Sequence, residues 1–119
     1  MLTFFTITHL QNDEATFSAE ITFNAAHPVF AGHFPGKPIV PGVFLLEILT
    51  AIIARITHKK AGIETILNIK FLQVIDPETH PVVFIDGSIS VEEDGRFRVD
   101  AACRNGETIF AKFKSLKCK

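Results

Sequence analysis

The 119-residue chain has no Trp and no Tyr, a single Met and only two Cys. The missing Tyr and Trp exclude a site built on a phenol hydroxyl or an indole N–H. Twelve Phe carry the whole aromatic content. Phe has no polar handle, so it sits in dry places where Tyr and Trp would have to satisfy a donor. An excess of either charge is missing too: 12 Lys and Arg stand against 13 Asp and Glu. A duplex-binding protein carries a strong basic surplus, so no nucleic-acid partner is expected. Cys103 and Cys118 have neither CxxC nor zinc spacing and read as reduced thiols, Cys103 on a core strand position and Cys118 exposed in the C-terminal tail. No His, Cys, Asp and Glu grouping has metal-ligand spacing, and HExxH, GxGxxG, the phosphate-loop pattern and GxSxG are all missing, so neither a metal nor a cofactor is expected. Met1–Leu10 has neither the basic start nor the apolar stretch of a signal peptide. The longest apolar run, Val43–Ile56, is fourteen residues including Glu47, too short to span a bilayer. The expectation is a cytoplasmic protein without a membrane partner.

What is present is apolar: 47% of the residues are hydrophobic. A chain of this length reads as one domain over residues 1–119, with more apolar material than a lone small globule needs. Part of its surface is therefore expected to be buried against another subunit.

Most segments alternate with period two, the mark of strands with one buried face. Phe17, Ala19, Ile21 and Phe23 alternate with polar residues in Ala15–Phe23, behind a weaker strand at Phe4–His9. Leu67, Ile69 and Phe71 form a third strand. Val83, Ile85, Ile89 and Val91 share one face of a fourth, and Phe97, Val99, Ala101 and Cys103 one face of a fifth. Ile109, Ala111 and Phe113 alternate with Phe110, Lys112 and Lys114 in the last. Asp94-Gly95 and Asn105-Gly106 read as two-residue hairpin turns between these late strands. The C-terminal half is thus an antiparallel meander.

One helix interrupts the strands. Pro41 suits its first position, Val43–Ile56 forms its body, and His58, Lys59 and Lys60 followed by Gly62 supply the stop. A helix apolar nearly all round is enclosed. The expected architecture is α+β, an antiparallel sheet wrapped around one long central helix.

The densest signal is Gly32-His33-Phe34-Pro35-Gly36-Lys37-Pro38-Ile39-Val40-Pro41-Gly42-Val43, with three prolines and three glycines in twelve residues. Proline fixes φ and glycine permits close approach, so such a loop holds a group in place, here His33. It delivers the chain into the helix at Gly42, and Glu47 follows one and a half turns later. The helical neighbours of Glu47 are Val43, Phe44, Thr50 and Ala51, none cationic. A carboxyl there is desolvated, a setting that favours its protonated form and suits a general acid. A histidine suits a general base, and the free N–H groups of Gly42 and Val43 suit an oxyanion. Each feature also has an ordinary explanation: an incidental loop histidine, a glutamate paired with a cation elsewhere, a rigid connector. The other histidines, His9, His27, His58 and His80, read as non-functional.

The stretch from His27 to Glu47, and above all Gly32–Glu47, resembles the (3R)-hydroxyacyl-acyl carrier protein dehydratases of the FabZ/FabA type, whose motif runs GHFPGxPxxPGVxxLE. Glu rather than Asp at position 47 places the resemblance on the FabZ-like branch. The resemblance implies a hotdog fold and a lyase that converts (3R)-hydroxyacyl thioesters on acyl carrier protein to trans-2-enoyl thioesters in fatty-acid, lipid or polyketide biosynthesis. It implies His33 as the base that takes the α-proton, Glu47 as the acid that protonates the departing hydroxyl, and Gly42, with Val43, as donors to the thioester carbonyl. It further implies a homodimer or a trimer of dimers, with His and Glu of one site coming from opposite subunits, and an apolar acyl tunnel for which Phe30, Phe34 and Phe44 are candidates. Arg55, Lys59 and Lys60 are candidates for contact with the phosphopantetheine-bearing carrier, with Lys70, Lys112 and Lys114 beside them, because an acidic carrier is steered by a basic rim. The resemblance departs at Ala51, where the family usually has a Gln that orients the acid; Thr50 is the nearest residue to take its place. Two other functions fit a hotdog chain: an acyl thioesterase, and a non-catalytic acyl-binding or accessory subunit.

Overall fold

The structure, a computed structural model, describes residues 4–30, 39–58 and 63–118, apart from the side chains of 63–67. The elements are β1 (Phe5–Asn12), β2 (Thr16–Phe23), a 3-10 turn at Pro28–Phe30, α1 (Gly42–Thr57), β3 (Ile63–Phe71), β4 (Val82–Val91), β5 (Phe97–Asn105) and β6 (Thr108–Cys118). The six strands make one sheet in the order β1-β2-β4-β5-β6-β3, antiparallel throughout. β3 lies mid-chain in sequence yet joins the sheet at its far edge, beside β6. The helix makes the crossing that takes the chain there. This is the expected α+β layout.

The alternation of the strands explains which face carries the helix. Phe17, Ala19, Ile21 and Phe23 of β2, Val83, Ile85 and Ile89 of β4, Val99, Ala101 and Cys103 of β5, and Phe113 and Leu116 of β6 are all buried, and they enclose Leu45, Ile48, Leu49, Ile52 and Ile53 of α1. Each Val, Leu, Ile and Phe among them contributes roughly 1.5–3 kcal/mol through burial. Among the described residues, the helix is covered on this side only. Val43 is 64% exposed, Glu47 and Arg55 are exposed, and Leu46, Thr50, Ala51 and Ala54 are partly open. The expectation of an enclosed helix therefore holds for one face. A single sheet can cover one side of a helix, and the apolar residues opposite need a second cover.

The ends of the elements differ from the sequence expectation for local reasons. Pro41 is the N-cap, with φ −62° and ψ 146°, and the helix starts at Gly42. Its end is set by His58 in the left-handed region at φ 55°, one residue after Thr57 and well before Gly62. β1 and β3 are longer than their alternation suggested, because pairing with β2 and β6 carries weakly patterned residues into the ladder. Asp94-Gly95 lies in a five-residue connection in which Glu92 N–H donates to Arg96 C=O and Gly95 N–H donates to Glu92 C=O. In the next hairpin Asn105 pairs with Thr108, so the turn residues are Gly106 and Glu107. Gly106, at φ 59°, is the residue that turn needs.

The last strand breaks period two twice. Phe110 and Ala111 are both buried, beside a register shift opposite Cys103 and Arg104. Ser115 stands at φ 54° in a second shift opposite Val99 and Ala101. These bulges explain why Phe110, expected on the polar face, turns inward. They also carry Cys118 into the ladder opposite Phe97 and Ile63. Cys118 is fully buried, not exposed as its terminal position suggested. Burial pushes its thiol up to about 11 and that of Cys103 up to about 12. Val91, expected to face inward, is 69% exposed at the end of β4.

Candidate functional site

The tail of the Pro/Gly-rich segment enters the described structure at Ile39. Val40 is buried and pairs with Ile75, its N–H donating to the Ile75 C=O at 2.9 Å. This fixes the chain as it enters the helix. Pro41 C=O accepts from Phe44 N–H at 3.0 Å and closes the first turn. The N–H groups of Gly42 and Val43 have no acceptor among the described residues. Pro41 offers no side-chain cap and the first turn has no acidic residue. Among the described residues the positive end of α1 thus keeps two donors without an acceptor, which is what stabilising a developing oxyanion requires.

Gly42 is covered from one side. A Cβ built on it would lie 2.5 Å from Cζ, 2.6 Å from Cε1 and 3.0 Å from Cε2 of Phe71. A Cβ there would require the Phe71 ring to move aside. Phe71 ends β3, packs edge-on against Phe113 with centroids 6.3 Å apart, and is 55% exposed. It was legible only as a core strand residue, since nothing in its local pattern tells of the helix end it covers. Val43, Leu72 and Val74 are also at least half exposed, so the mouth of the helix carries an open apolar rim.

Glu47 lies one turn beyond Val43 on the same outward stripe. It is exposed, so the desolvation expected of it is not present in the single chain; the sheet covers the opposite side of the helix. It has no hydrogen-bond or ion-pair partner among the described residues. Thr50, the proposed stand-in for the missing Gln, donates its hydroxyl to the Leu46 C=O at 2.9 Å. Its proton is spent within the helix and does not orient Glu47. His33 and Phe34 lie outside the described residues.

Phe30 and Phe44 do come together, around Phe4. Phe4 lies 4.7 Å from Phe44 and 6.2 Å from Phe30, and Phe30 lies 6.3 Å from Phe44, centroid to centroid. Phe30 is fully covered and Phe44 half-buried. The cluster forms a dry wall beneath the helix start. Of the basic candidates, Arg55 is exposed in the last helical turn, and Lys59 and Lys60 lie outside the described residues. Lys70, Lys112 and Lys114 are exposed on the outer sheet face, with Lys70 directly opposite Lys112. His27 Nδ1 accepts the Val29 N–H at 3.0 Å and His58 ends the helix, both structural tasks. No helix among the described residues is long and apolar enough to cross a membrane.

A six-stranded antiparallel sheet holding one long helix, with open amides at the helix start, is the class of structure in which hotdog dehydratases are found, and comparison with known proteins agrees. The sequence model of the ApeI-like family, described as ApeI dehydratase, matches residues 9–112. The chain belongs to this ApeI-like dehydratase family. It is 32% identical over 74 residues to the 3-hydroxyacyl-[acyl-carrier-protein] dehydratase FabZ of Rickettsia rickettsii (strain Sheila Smith), a match covering 56% of this chain and 50% of that protein. It is 39% identical over 64 residues to the FabZ of Wolbachia pipientis wMel, covering 48% and 43%. The chain thus spans about half the length of the curated relatives it matches. Among solved structures, a chain of the dehydratase heterocomplex ApeI:P of Xenorhabdus doucetiae superposes with TM-score 0.64 at 16% identity, covering 96% of this chain and 97% of that one. An uncharacterized protein from Erwinia carotovora subsp. atroseptica superposes with TM-score 0.65 at 20% identity, covering 100% and 97%. These likenesses establish the hotdog fold.

Proposed function

We propose that this chain dehydrates 3-hydroxyacyl thioesters presented by an acyl carrier protein, as a cytoplasmic hydro-lyase of the FabZ type. The observation that carries the proposal is the open pair of amides at Gly42 and Val43, one turn before Glu47 and at the end of a loop with the dehydratase spacing from His33. The thioester oxygen accepts hydrogen bonds from these N–H groups, which stabilises the enolate that forms when His33 removes the α-proton. The C–O bond at the β-carbon then breaks, the electron pair from the α-carbon forms the C=C bond, and Glu47 gives its proton to the departing hydroxyl. Water leaves, and the proton on His33 returns to Glu47 through solvent. Each step needs the acid and base to face one substrate with water excluded.

A second copy of the chain supplies that exclusion. Val43 at the helix start and Phe71, Leu72 and Val74 at and just beyond the end of the edge strand β3 are exposed apolar residues, and a partner seated on them desolvates Glu47. This supports the homodimer, or trimer of dimers, in which the two catalytic groups of a site come from different subunits, with the Phe30–Phe44 wall behind the acyl chain.

The test is hydration of crotonyl thioester, the reverse reaction, read by loss of enoyl absorbance. His33→Ala is expected to abolish it and Glu47→Gln to lower it by roughly 100-fold or more, the scale of a lost general acid. Wild-type turnover in the His33 variant overturns the mechanism, and thiol release without enoyl chemistry points to a thioesterase. A second reading, an acyl-binding subunit paired with a different chain, is favoured by Thr50, whose proton is held by Leu46 and leaves Glu47 without an orienting donor among the described residues. Tight thioester binding without turnover by the isolated chain selects that reading.

A further inference from the structure

We propose that Phe71 is the specificity-determining residue at the α-carbon of the acyl chain, closing the site to thioesters branched there. The inference rests on the reading that Gly42 N–H receives the thioester oxygen. The distal edge of the Phe71 ring fills the space that a Cβ on Gly42 would occupy, with three ring atoms within 3.0 Å of that position. An oxygen held by Gly42 N–H lies about 2.9 Å from the nitrogen, and that nitrogen is one bond from the covered Cα. The acyl α-carbon is two bonds from the same oxygen, so a substituent on it competes with the ring edge for one volume.

The ring is 55% exposed and is held on the side of the sheet, where it packs edge-to-face against Phe113, which is fully buried. The chain just beyond it is pinned, because Leu72 N–H and Gln73 N–H both donate to Phe110 C=O, at 2.7 and 3.2 Å. Ile75, which receives the Val40 N–H, anchors the same segment to the helix entrance. The helix start and the backbone that carries the ring are therefore tied into one unit. An apolar wall discriminates against one surplus methylene by roughly 10- to 200-fold in kcat/KM, which is the scale to expect here.

The experiment compares crotonyl with α-methylcrotonyl thioester in wild type, Phe71→Ala and Phe71→Leu. Binding of butyryl- and isobutyryl-pantetheine, which have no hydroxyl to lose, is measured alongside. The ratio between two ligands on one variant does not depend on how much of that variant is folded, so a structural role alone leaves it unmoved. Wild type is expected to prefer the unbranched member of each pair by roughly tenfold or more, and Phe71→Ala to bring the ratio to within about threefold of unity, with Phe71→Leu between. An unchanged ratio in both variants overturns the assignment. Absence of turnover in wild type, with the binding ratios shifting as expected, overturns the dehydratase reading and leaves the role of Phe71 standing.

Discussion

The edge of the Phe71 ring, at the end of an edge strand, stands where a Cβ on Gly42, the first residue of the helix, would lie. A side chain at position 42 has no room while the ring is there. Gly42→Ala is expected to destabilise the protein by about 1–3 kcal/mol, the range for overpacking. Phe71→Ala loses apolar burial and contact with Phe113, but it removes the clash. The double variant is therefore expected to be more stable than the sum of the single effects predicts, by about 0.5–3 kcal/mol of coupling. Denaturant titration of the four proteins measures this, and additive effects would show that the ring does not confine Gly42.

The apolar border beside this contact predicts self-association. Val43→Lys and Val74→Lys each place a charge where the proposed partner sits, and neither disturbs a buried contact of the single chain. Sedimentation is expected to show dimers or larger assemblies for wild type and a shift toward monomer for the variants. Hydration activity should fall in parallel, since a half-site leaves Glu47 in water. A wild type that sediments as a monomer and remains active sinks the shared-site arrangement.

The reach of the sequence is clearest at this site. Period-two alternation identified β2, β4, β5 and β6 most clearly, because each has one buried face, and the edge strands β1 and β3 only in part. The Pro/Gly-rich run identified the helix entrance, because those residues restrict the backbone locally. The approach of Phe71 to Gly42 is not legible in its strand pattern, since β3 joins the sheet beside β6, a pairing no local pattern encodes. Glu47 was read as desolvated from its apolar helical neighbours. Those neighbours are real, but the burying surface of the single chain lies on the other side of the helix. Cys118 and Phe110 were misplaced because bulges in β6 reset which residues face inward, and a bulge leaves almost no trace in composition.

One of those bulges has its own support. Asp100 Oδ1 accepts the Ser115 N–H at 2.8 Å, with Ser115 at φ 54°. A carboxylate on a backbone N–H is a charge-assisted bond. Asp100→Ala is expected to cost about 1.5–3 kcal/mol, the range for a hydrogen bond to a charged group. Ser115→Gly removes a left-handed penalty of about 1–2 kcal/mol against a chain-entropy cost of about 0.5–1 kcal/mol, for a small net gain. Thermal unfolding with both variants decides, and a Ser115→Gly protein less stable than wild type would show that the serine side chain matters in its own right.

The outer sheet face carries a like-charge pair that makes no ion pair among the described residues. Lys70 and Lys112 stand opposite each other in the β3–β6 ladder, and Lys114 follows two residues on. None of the three makes an ion pair among the described residues. By contrast, Asp86 on the same face accepts from Ser18 Oγ at 2.7 Å and Arg104 Nε at 2.6 Å. Lys70→Glu turns a repulsive cross-strand pair into an attractive one and is expected to stabilise by about 0.2–1 kcal/mol, an effect that shrinks at high salt. Insensitivity to salt would show that any gain has another origin.

The two buried thiols make stability fall at alkaline pH. Burial raises Cys103 from 9.0 to about 12 and Cys118 from 9.0 to about 11. Below pH 9 both are protonated whether the chain is folded or not, and neither contributes to the pH dependence. Above pH 9 the unfolded chain loses these protons while the folded chain keeps them, so unfolding becomes easier. The loss approaches about 1.4 kcal/mol per pH unit for each thiol. It levels off near pH 11 for Cys118 and near pH 12 for Cys103. Urea titrations between pH 8 and pH 10.5 on wild type and on Cys103→Val with Cys118→Val separate this from lysine titration, because only wild type carries the thiol contribution. Parallel pH profiles for the two proteins would mean that the thiols ionise as readily in the folded chain as in water. The same burial predicts that thiol reagents at pH 8 label the native protein far more slowly than the urea-unfolded chain, and that both sites become reactive together when the sheet opens.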